Sequence, residues 1–365
     1  MKRRKLTDIC HPKQWKTIPT TDLQEEGFPV YGANGIIGRY KEYNHEYPVV
    51  AITCRGATCG SINITVPKAY ITGNAMCLDD VSSDIDLKYL YYCLLHYDFS
   101  KVISGTAQPQ ITRQSLEKVV ISIGTPEEQK EIVYVLKKIE NIINGRKHEL
   151  LALDNLIKAR FVEMFGDPVS NEKGWTTRPL LDMGSCKNGM NFHYDDSGVE
   201  INCLGVGDFK DYSIIADTAA LPTVSLNEMP SPEYLLRDDD IVFVRSNGNK
   251  KMVGRSVAVY PGAVPTTFSG FCIRYRREDN SVITPYLLRV LKAESMRQKM
   301  YGRGANIQNL NQQTLSSLDI PVPPKAMQEQ FAAVVAQIDK SKVAVQAALD
   351  KAQLLFDSLM QEYFE

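Results

Sequence analysis

Long apolar runs and net charge are both missing from this sequence. No stretch approaches the roughly 18 apolar residues of a membrane-spanning helix. The basic residues 2–5 lead into Leu6-Thr7-Asp8, not into the apolar core of a signal peptide. We therefore expect a cytoplasmic protein. The net charge of −1 at pH 7 over 365 residues argues against binding nucleic acid by bulk positive charge, although it leaves room for a local basic patch.

Metal-ligand spacings are absent as well. The eight cysteines form no C-x-x-C pair and lie mostly inside apolar runs such as Ala75-Met76-Cys77-Leu78, which is typical of reduced core thiols. The five histidines show no spacing that would place two of them on one metal ion. These patterns predict a protein with no bound metal and no other cofactor.

Catalytic motifs are the third absence. An adenine methyltransferase would need an Asn-Pro-Pro-Tyr-like stretch and an ATPase a G-x-x-x-x-G-K-[ST] phosphate loop, and the chain has neither. Asp208 and Lys210, with Asp195 and Asp196 upstream, could be forced into the pattern of a metal-dependent nuclease. So short a pattern arises by chance, and a charged turn after Gly205-Val206-Gly207 explains it better. We expect a chain without catalytic activity.

The sequence does contain an internal repeat centred on two helical stretches. Gln129 near the start of the first and Gln328 near the start of the second are 199 positions apart (328 − 129). At this offset each stretch has a mainly apolar column that steps by alternating fours and threes, which keeps one face of a long helix apolar. Neither stretch has a proline after its opening turn, so each would extend roughly 57 Å as an unbroken helix. The repeat predicts two long helices that pack against each other.

The predicted interface of this helix pair contains the larger apolar members of both columns, namely Ile132, Leu136, Ile139, Leu150, Leu153, Ile157, Phe331, Val335, Ile338, Leu349, Phe356 and Leu359. Three basic residues interrupt the columns, namely Arg146, Arg160 and Lys342. Their stems can pack while their charges reach solvent or pair with acids such as Glu149 or Asp339. Alternatively, they set the register between the helices or mark the face where another subunit docks.

A globular segment precedes each helix. Residues 1–125 alternate strand patterns with turns around one helix, and they include the Asn34-Gly35 hairpin signal and a buried strand pattern at 47–52. Residues 167–322 open with a turn-rich connector and repeat the plan. We predict an α/β (α+β) fold with two mixed α/β domains, each followed by a spacer helix, with boundaries at 1–125, 126–166, 167–322 and 323–365.

The order of domain, helix, connector, second domain and second helix resembles HsdS, the specificity subunit of type I restriction-modification systems. The resemblance covers nearly the whole chain. Its most specific parts are residues 105–116 leading into the strand before Gln129, their repeat at 302–315, and Tyr234-Leu235-Leu236-Arg237 leading to the strand at 240–243.

This resemblance implies two target recognition domains, each reading one half of a bipartite sequence in double-stranded DNA. It implies that the two helices pack antiparallel as a coiled-coil-like strut, separate the domains with pseudo-two-fold symmetry, and dock two methyltransferase (modification) subunits. Restriction or translocase subunits are a further partner that it suggests. Two similar domains on a paired strut also suit two binding sites at fixed separation, although this argument does not by itself point to DNA.

Candidate DNA contacts are polar and basic side chains in loops, because Arg and Lys suit guanine whereas Asn and Gln suit adenine. The densest group follows the strand 241–244, and the full set is Arg245, Ser246, Asn247, Asn249, Lys250, Lys251, Arg255, Arg303, Gln308, Asn309, Asn34, Arg55, Thr58, Gln108 and Gln110. For any one of them an ordinary solvated turn is an equally good explanation. For the group from Arg245 to Arg255, DNA contact is the better explanation, since its density of polar side chains exceeds what a turn needs.

The preferred function is therefore that of a non-catalytic DNA specificity subunit that scaffolds methyltransferase and restriction subunits. Three alternatives remain: a DNA endonuclease that cuts through the Asp208 region, a specificity protein of a related restriction class in a fused system, and a scaffold whose domains bind proteins. The target bases stay open, because readout depends on loop geometry and DNA shape as much as on side-chain type.

Overall fold

The protein consists of two compact units. The computed structural model describes residues 1–33, 35–105, 108–192, 197–209, 214–301 and 309–365. The first unit contains Met1–His148 and Val345–Glu365, and the second unit contains Glu149–Ala344. Each of two 40-residue helices contributes one part to each unit. The four-segment division predicted from the sequence stays a prediction.

The first half of the chain contains nine strands and three helices, in chain order β1 (Lys2–Lys5), β2 (His11–Gln14), β3 (Phe28–Gly32), β4 (Gly35–Tyr40), β5 (Val50–Thr53), β6 (Ile62–Ile64), β7 (Tyr70–Ile71), β8 (Ala75–Asp79), α1 (Leu87–His96), α2 (Arg113–Leu116), β9 (Val120–Ile123) and α3 (Pro126–Phe165), within the described residues. The strands form sheets of order β2-β8-β5-β6 and β4-β3-β7 and the pair β1-β9. Strand β5 is buried along its whole length, as its apolar β-branched run predicts.

The second half, over its described residues, contains ten strands and four helices, in chain order β10 (Thr177–Pro179), β11 (Gly184–Asn188), β12 (Val199–Leu204), β13 (Ile214–Ile215), β14 (Thr223–Leu226), β15 (Asp240–Val244), β16 (Ser256–Val259), β17 (Thr266–Phe268), β18 (Cys272–Arg277), α4 (Thr284–Lys292), α5 (Glu294–Tyr301), α6 (Gln312–Ser316), β19 (Asp319–Pro321) and α7 (Lys325–Phe364). Its sheets have the orders β11-β18-β15-β16-β13 and β14-β12-β17, with the pair β10-β19. The predicted fold of two mixed α/β halves with two long helices is confirmed.

Buried glutamines fasten the start of each long helix to the globular part of its unit. In the first unit, Gln129 Nε2 donates to Asp84 O at 2.9 Å and to Gly124 O at 3.0 Å. Its Oε1 accepts the N–H of Asp86 at 2.8 Å, just ahead of α1. All three polar bonds hold the loop before α1 and the loop after β9 on the first turn of α3.

The same arrangement recurs in the second unit at Gln328. Its Nε2 donates to Ser281 O at 3.0 Å and to Pro323 O at 2.8 Å, while its Oε1 accepts the N–H of Ile283 at 2.9 Å, ahead of α4. The glutamines that define the sequence repeat are therefore also equivalent in their contacts. Because both side chains are almost wholly buried, their amide groups need these backbone partners in place of the water that they lose on folding.

The two long helices run antiparallel within the second unit. Lys342 Nζ lies 2.6 Å from Asp154 Oδ1, and the rings of Phe331 and Phe165 are 5.6 Å apart, so rising numbers in α3 meet falling numbers in α7. Phe161 and Tyr286 join the two phenylalanine rings in one aromatic core. This core attaches both helices to α4.

Within the first unit, the opening turns of α3 and the final turns of α7 share the core of the globular part. Ile132 and Leu136 from α3 pack in one apolar cluster with Met360 from α7 and with Tyr89 and Leu90 from α1. The ring of Tyr92 also lies against Phe356, with centroids 6.1 Å apart. Among the described residues, the long helices and their neighbours are too polar or too short for any of them to pass through a bilayer.

Candidate nucleic-acid interface

In the first unit, a loop crossing follows the end of strand β5. Cys54 O accepts the N–H of Ile111 at 3.0 Å, and the next residue, Arg55, pairs with Gln110 as an isolated antiparallel bridge. Because β5 is buried, it supplies a rigid base for the residues that leave it. Three of the four predicted contact residues here are exposed and the last is half-buried, in the order Arg55, Thr58, Gln108 and Gln110.

The second unit repeats this crossing after strand β15. Arg245 O accepts the N–H of Leu310 at 2.7 Å, and Ser246 pairs with Asn309 as an isolated antiparallel bridge. Asn309 lies 199 positions after Gln110 (309 − 110), which is the offset of the glutamine repeat. The two loops correspond in these backbone contacts, and the residue in the place of Arg55 is Ser246. Asn309 is exposed and Ser246 half-buried.

Part of the polar content of the Arg245 loop builds the loop itself. Asn247 Oδ1 accepts the N–H of Asn249 at 2.8 Å, and Asn249 Oδ1 accepts the N–H of Lys251 at 3.1 Å. The Arg245 guanidinium donates from Nη1 to Gly270 O at 3.1 Å. These bonds are typical of a shaped turn, yet they use one of the five N–H groups of the arginine and only the carbonyl ends of the asparagines. Of the predicted residues in this loop, Asn249, Lys250 and Lys251 are exposed, whereas Arg245, Asn247 and Arg255 are half-buried.

Sequence reasoning missed an aromatic residue beside this loop. Phe271 is 61% exposed, and its carbonyl oxygen accepts the N–H groups of Arg245 at 2.8 Å and of Ser246 at 3.3 Å. Its neighbour Cys272 is fully buried, so the alternation of a strand start points the ring outward. That alternation was the available signal. An exposed ring beside polar and basic side chains is suited to stack on a base or a sugar.

A second group of basic residues lies behind the loop and was not selected from the sequence. Arg297 Nη2 donates to Lys251 O at 2.9 Å and to Val253 O at 3.3 Å, so it supports the loop backbone. Burial lowers the pKa of Lys292 to about 7, and the positive charges of Arg289 and Lys342 lower it in the same direction. Arg255 acts on Lys292 in the same direction, so several positive charges lie close together in this part of the second unit.

Three predicted contact residues, Asn34, Arg303 and Gln308, lie outside the described residues. Asn34 is the first residue of the Asn34-Gly35 turn signal, and strands β3 and β4 do pair antiparallel on either side of that position. The structure thus brings together Arg55 with Gln110 and Ser246 with Asn309. The whole set of DNA contacts stays a prediction.

Asp208, the carboxylate on which the nuclease alternative depends, stabilises a turn. Asp208 Oδ2 accepts the N–H of Gly205 at 2.8 Å and so caps the short 3-10 turn at Val206–Asp208. Asp195, Asp196 and Lys210 lie outside the described residues.

Another potential metal-binding group stands among the described residues. It comprises His45, Cys77 and Asp79, whose ligand atoms lie within 4.8 Å of one another. Sequence spacing missed the group because His45 lies in the segment before β5, whereas Cys77 and Asp79 lie much later in the chain, on β8.

Most residues of the predicted helix-pair interface are buried. Eight of the twelve members are shielded from solvent, namely Ile132, Leu136, Ile139, Ile157, Phe331, Val335, Ile338 and Leu349. The half-buried members are Leu150, Leu153, Phe356 and Leu359. Part of this burial is against the other long helix, since Phe331 of α7 contacts Phe161 of α3, and part is against the globular region, since Leu136 shares a core with α1. The role of the set in pairing the helices stays a prediction.

Two of the basic residues that interrupt the columns, Lys342 and Arg160, form ion pairs. Lys342 pairs with Asp154 across the helix pair, and Arg160 pairs with Glu163 along α3 at 2.8 Å. The partner of Lys342 is thus an acid of the other helix and not Asp339, which lies on its own helix. A cross-helix ion pair is the arrangement that fixes register.

Comparisons with known proteins bear on both halves of the chain. The type I restriction enzyme StySPI specificity subunit of Salmonella potsdam is 24% identical over 332 residues, which make up 85% of this chain and 68% of that protein. The EcoprrI specificity subunit of Escherichia coli is 26% identical over 149 residues, or 40% of this chain and 37% of that protein. The chain therefore matches well under two thirds of the second relative.

A solved structure shares the fold. The S subunit of a type-I restriction-modification system from M. genitalium has a TM-score of 0.61 and 15% identity, with 100% of this chain and 96% of that chain covered. The family model for the type I restriction modification DNA specificity domain matches residues 1–152 and 172–352, once in each half of the repeat. Since these two matches account for most of the 365 residues, the chain belongs to the type I restriction modification DNA specificity domain family.

Proposed function

We propose that this chain is the DNA-recognition subunit of a type I restriction-modification complex and that each unit reads one half of a bipartite target. The observation that carries the proposal is the loop crossing that recurs after β5 and after β15. A reader of bases needs donors and acceptors on loops that a rigid element positions. Both crossings offer such side chains at the end of a wholly buried strand.

The side chains of the second crossing divide into two roles. Arg245 keeps N–H groups beyond the one that donates to Gly270 O, so it can contact a guanine edge. Lys250 and Lys251 are exposed and carry the charge that a phosphate contact needs. Exposed Phe271 adds a stacking surface beside them. Phosphate contacts would hold the unit on the duplex while Arg245 supplies base preference.

The partners of this subunit would be two methyltransferase subunits, with restriction or translocase subunits as further members. A net charge of −1 supports this, because a nearly neutral chain neutralises few phosphates and needs a partner to supply positive charge. Large apolar side chains are also exposed on both long helices, as a docking surface requires. They are Tyr134, Ile142, Leu151, Leu156, Val162, Val343, Leu354 and Leu355.

The subunit itself would be non-catalytic, with methylation and cleavage carried out by its partners. The rival endonuclease has no supporting geometry among the described residues, because Asp208 is used as a cap. Incubation of the purified chain with plasmid and Mg²⁺ separates the two functions, and we expect the plasmid to stay intact. Cleavage that is lost in Asp208→Asn would favour the endonuclease.

The proposal is tested by mapping methylated sites in cells that co-express the chain with the modification subunit of its own system. Arg245→Ala is expected to relax one position in one half of the target, at a cost of about 1 to 3 kcal/mol. Arg55→Ala is expected to affect the other half only. Lys250→Ala serves as the comparison, because loss of a phosphate contact weakens all sequences alike.

Two results would contradict separate readers. One is a change of base preference in both halves after either arginine substitution. The other is a motif with a single undivided recognition sequence. The protein-binding scaffold predicts a third pattern, in which the chain with its partner enriches no motif from a randomised DNA library.

A further inference from the structure

Three potential metal ligands from two sheets meet inside the first unit. His45 Nε2 lies 3.0 Å from Asp79 Oδ1, and Cys77 places its sulfur within 4.8 Å of both ligand atoms. Cys77 and Asp79 point the same way from strand β8, because they are two residues apart. His45 precedes β5 and bridges to Ala69, next to strand β7 of the other sheet. The group therefore lies where the sheets β2-β8-β5-β6 and β4-β3-β7 meet.

The hydrogen bonds around His45 fix its free nitrogen. Asn44 donates from Nδ2 to Ile71 O at 3.0 Å and accepts the N–H of Ile71 at Oδ1 at 2.9 Å, so the orientation of its amide is determined. That same Oδ1 lies 2.7 Å from His45 Nδ1. Since an amide oxygen only accepts, Nδ1 carries a proton. Nε2 then faces the Asp79 carboxylate and the Cys77 sulfur, and either a proton or a cation has to stand between them.

The surroundings match the outer shell of a metal site. A histidine that binds a metal commonly donates its other N–H to a carbonyl oxygen, as His45 does to Asn44. The carboxylate is also oriented from behind, because Trp15 Nε1 donates to Asp79 Oδ2 at 3.1 Å. The histidine and aspartate side chains are 11% and 15% exposed, so a narrow entry path exists, while Cys77 is fully buried.

The donor set selects the class of metal. A thiolate, an imidazole and a carboxylate together suit zinc, whereas magnesium and calcium prefer oxygen ligands alone. Two ligands on a tetrahedral zinc ion lie roughly 3.3 to 3.6 Å apart, given bond lengths of about 2.0 to 2.3 Å. The observed 3.0 Å between Nε2 and Oδ1 is slightly shorter than that spacing, while the sulfur lies within 4.8 Å of both atoms. To admit the ion, the imidazole and the carboxylate would move apart and the sulfur would move towards them, with water in the fourth position.

Among its described residues, the second unit has an arginine where the first unit has Asp79. His11 and Ser185 each lie five residues after the leucine that begins the 3-10 turn of their half, Leu6 and Leu180, and they pair with Asp79 and Arg276, so Asp79 and Arg276 occupy equivalent positions. Arg276 forms two hydrogen bonds to the buried carboxylate of Asp240, at 2.8 and 2.7 Å. In the second unit, the positive charge beside the buried carboxylate therefore comes from the Arg276 guanidinium, so no cation is needed there.

We propose that His45, Cys77 and Asp79 bind one zinc ion that joins the two sheets of the first unit. The ion would replace the proton on Nε2 and the thiol proton of Cys77. It would thereby connect the β3–β4 hairpin sheet, which borders the predicted contact at Asn34, to the sheet that contains β5. The site departs from the sequence-based expectation of a metal-free protein.

The test uses the full chain, stripped with a chelator and then dialysed against buffered zinc. We expect about one zinc per chain by elemental analysis and a rise in the temperature at which the first unit unfolds. Cobalt(II) in place of zinc should give a thiolate-to-cobalt charge-transfer band. Cys77→Ala and Asp79→Asn should each lose the stoichiometric ion, and Cys77→Ala should lose the band. Asp79→Asn keeps an acceptor for Trp15 and serves if Cys77→Ala folds poorly by circular dichroism.

Cys272→Ala is the matched control, because Cys272 is a fully buried thiol on the equivalent strand β18. It should retain both the zinc and the cobalt band. Absence of stoichiometric zinc from the folded wild-type chain would overturn the proposal. Equal zinc content in the wild type, Cys77→Ala and Asp79→Asn would overturn it as well, since the ion would then be bound elsewhere.

Discussion

Single residues explain why the repeat is visible in the sequence. Gln129 and Gln328 each form hydrogen bonds to three backbone groups of the globular part. An apolar residue at either position would leave these partly or fully buried groups without their partner, which costs more than the loss of a surface hydrogen bond. Apolar residues of the predicted helix-pair interface can be replaced by other apolar residues at lower cost in stability. A glutamine at this position is therefore required by the polar backbone around it.

Replacing either buried glutamine should destabilise its own unit. We expect Gln129→Leu to lower the free energy of unfolding by about 2 to 4 kcal/mol, because it strands the N–H of Asp86 and two carbonyl oxygens. Urea unfolding of the full chain measures the effect. Gln361→Leu is the control, since Gln361 is exposed and pairs only with Glu365 in the next turn. Equal midpoints for the two variants would show that the buried bonds contribute little.

A second prediction at this scale concerns Lys292. Burial, together with Arg289 and Lys342, lowers its pKa to about 7 in the folded protein, against about 10.4 in the unfolded chain. Well below pH 7 the lysine is charged in both states and its burial cost is complete. As the pH rises from about 7 towards 10.4, only the unfolded state keeps the proton, so stability increases and the cost disappears.

Lys292→Met should therefore stabilise the chain most at pH 7 and below, and hardly at all near pH 10. The gain should be about 1 to 2 kcal/mol, which is less than the full pKa difference implies because the side chain is partly exposed to water. Thermal unfolding across this pH range measures it. Lys299→Met on the exposed side of α5 is the control. A gain from Lys292→Met that is independent of pH would mean that added apolar contact, and not charge burial, stabilises the variant.

At the scale of the element, each long helix serves two purposes along its length. Its end turns carry residues such as Phe331 into a globular core, whereas its central positions such as Leu150 and Leu153 are only half-buried. The seven-residue pattern is the same in both regions. What differs is the surface that covers it, and this decides how much each apolar residue stabilises the fold.

The helix attachment can be tested at Phe331. This ring lies against Phe161 and Phe165 at centroid distances of 5.6 Å, so Phe331→Ala should open a cavity and cost about 3 to 5 kcal/mol. Chemical unfolding followed by circular dichroism measures the loss. Val343→Ala on the same helix should change stability by less than about 0.5 kcal/mol, because Val343 is 71% exposed. A similar loss in both variants would place the stabilising contact along the helix surface instead of in the aromatic core.

For the whole molecule, near-zero net charge sets how it can bind DNA. We expect the purified chain to bind DNA weakly and with little sequence preference, because non-specific affinity depends on the number of phosphates neutralised. Adding the modification subunit should raise both affinity and preference, and should steepen the fall of affinity with salt. Fluorescence anisotropy over a salt series measures all three. Tight sequence-specific binding by the chain alone in moderate salt would refute this division of charge.

Much of this molecule was predictable from the sequence, because the signals involved are local in the chain. The two 40-residue helices follow from a local pattern of fours and threes and from the absence of proline after the opening turns. Strand β5 follows from a short β-branched run. The family resemblance rests on the order of such segments. Each of these signals lies within a few turns or residues of chain, so no knowledge of distant contacts is needed.

Only the tertiary structure decided which distant residues meet. Lys342 pairs with Asp154 because the antiparallel register brings them level, and no local rule selects that acid over Asp339. Sheet registers likewise place Ser246 on Asn309 and bring His45 to Cys77, although no sequence spacing marks either meeting. A register shift of one residue would turn these side chains to the opposite face. The sequence by itself thus determined the elements and their repeat, whereas pairing between distant strands and helices determined the sites, because the free energy that selects a register comes from contacts over the whole fold.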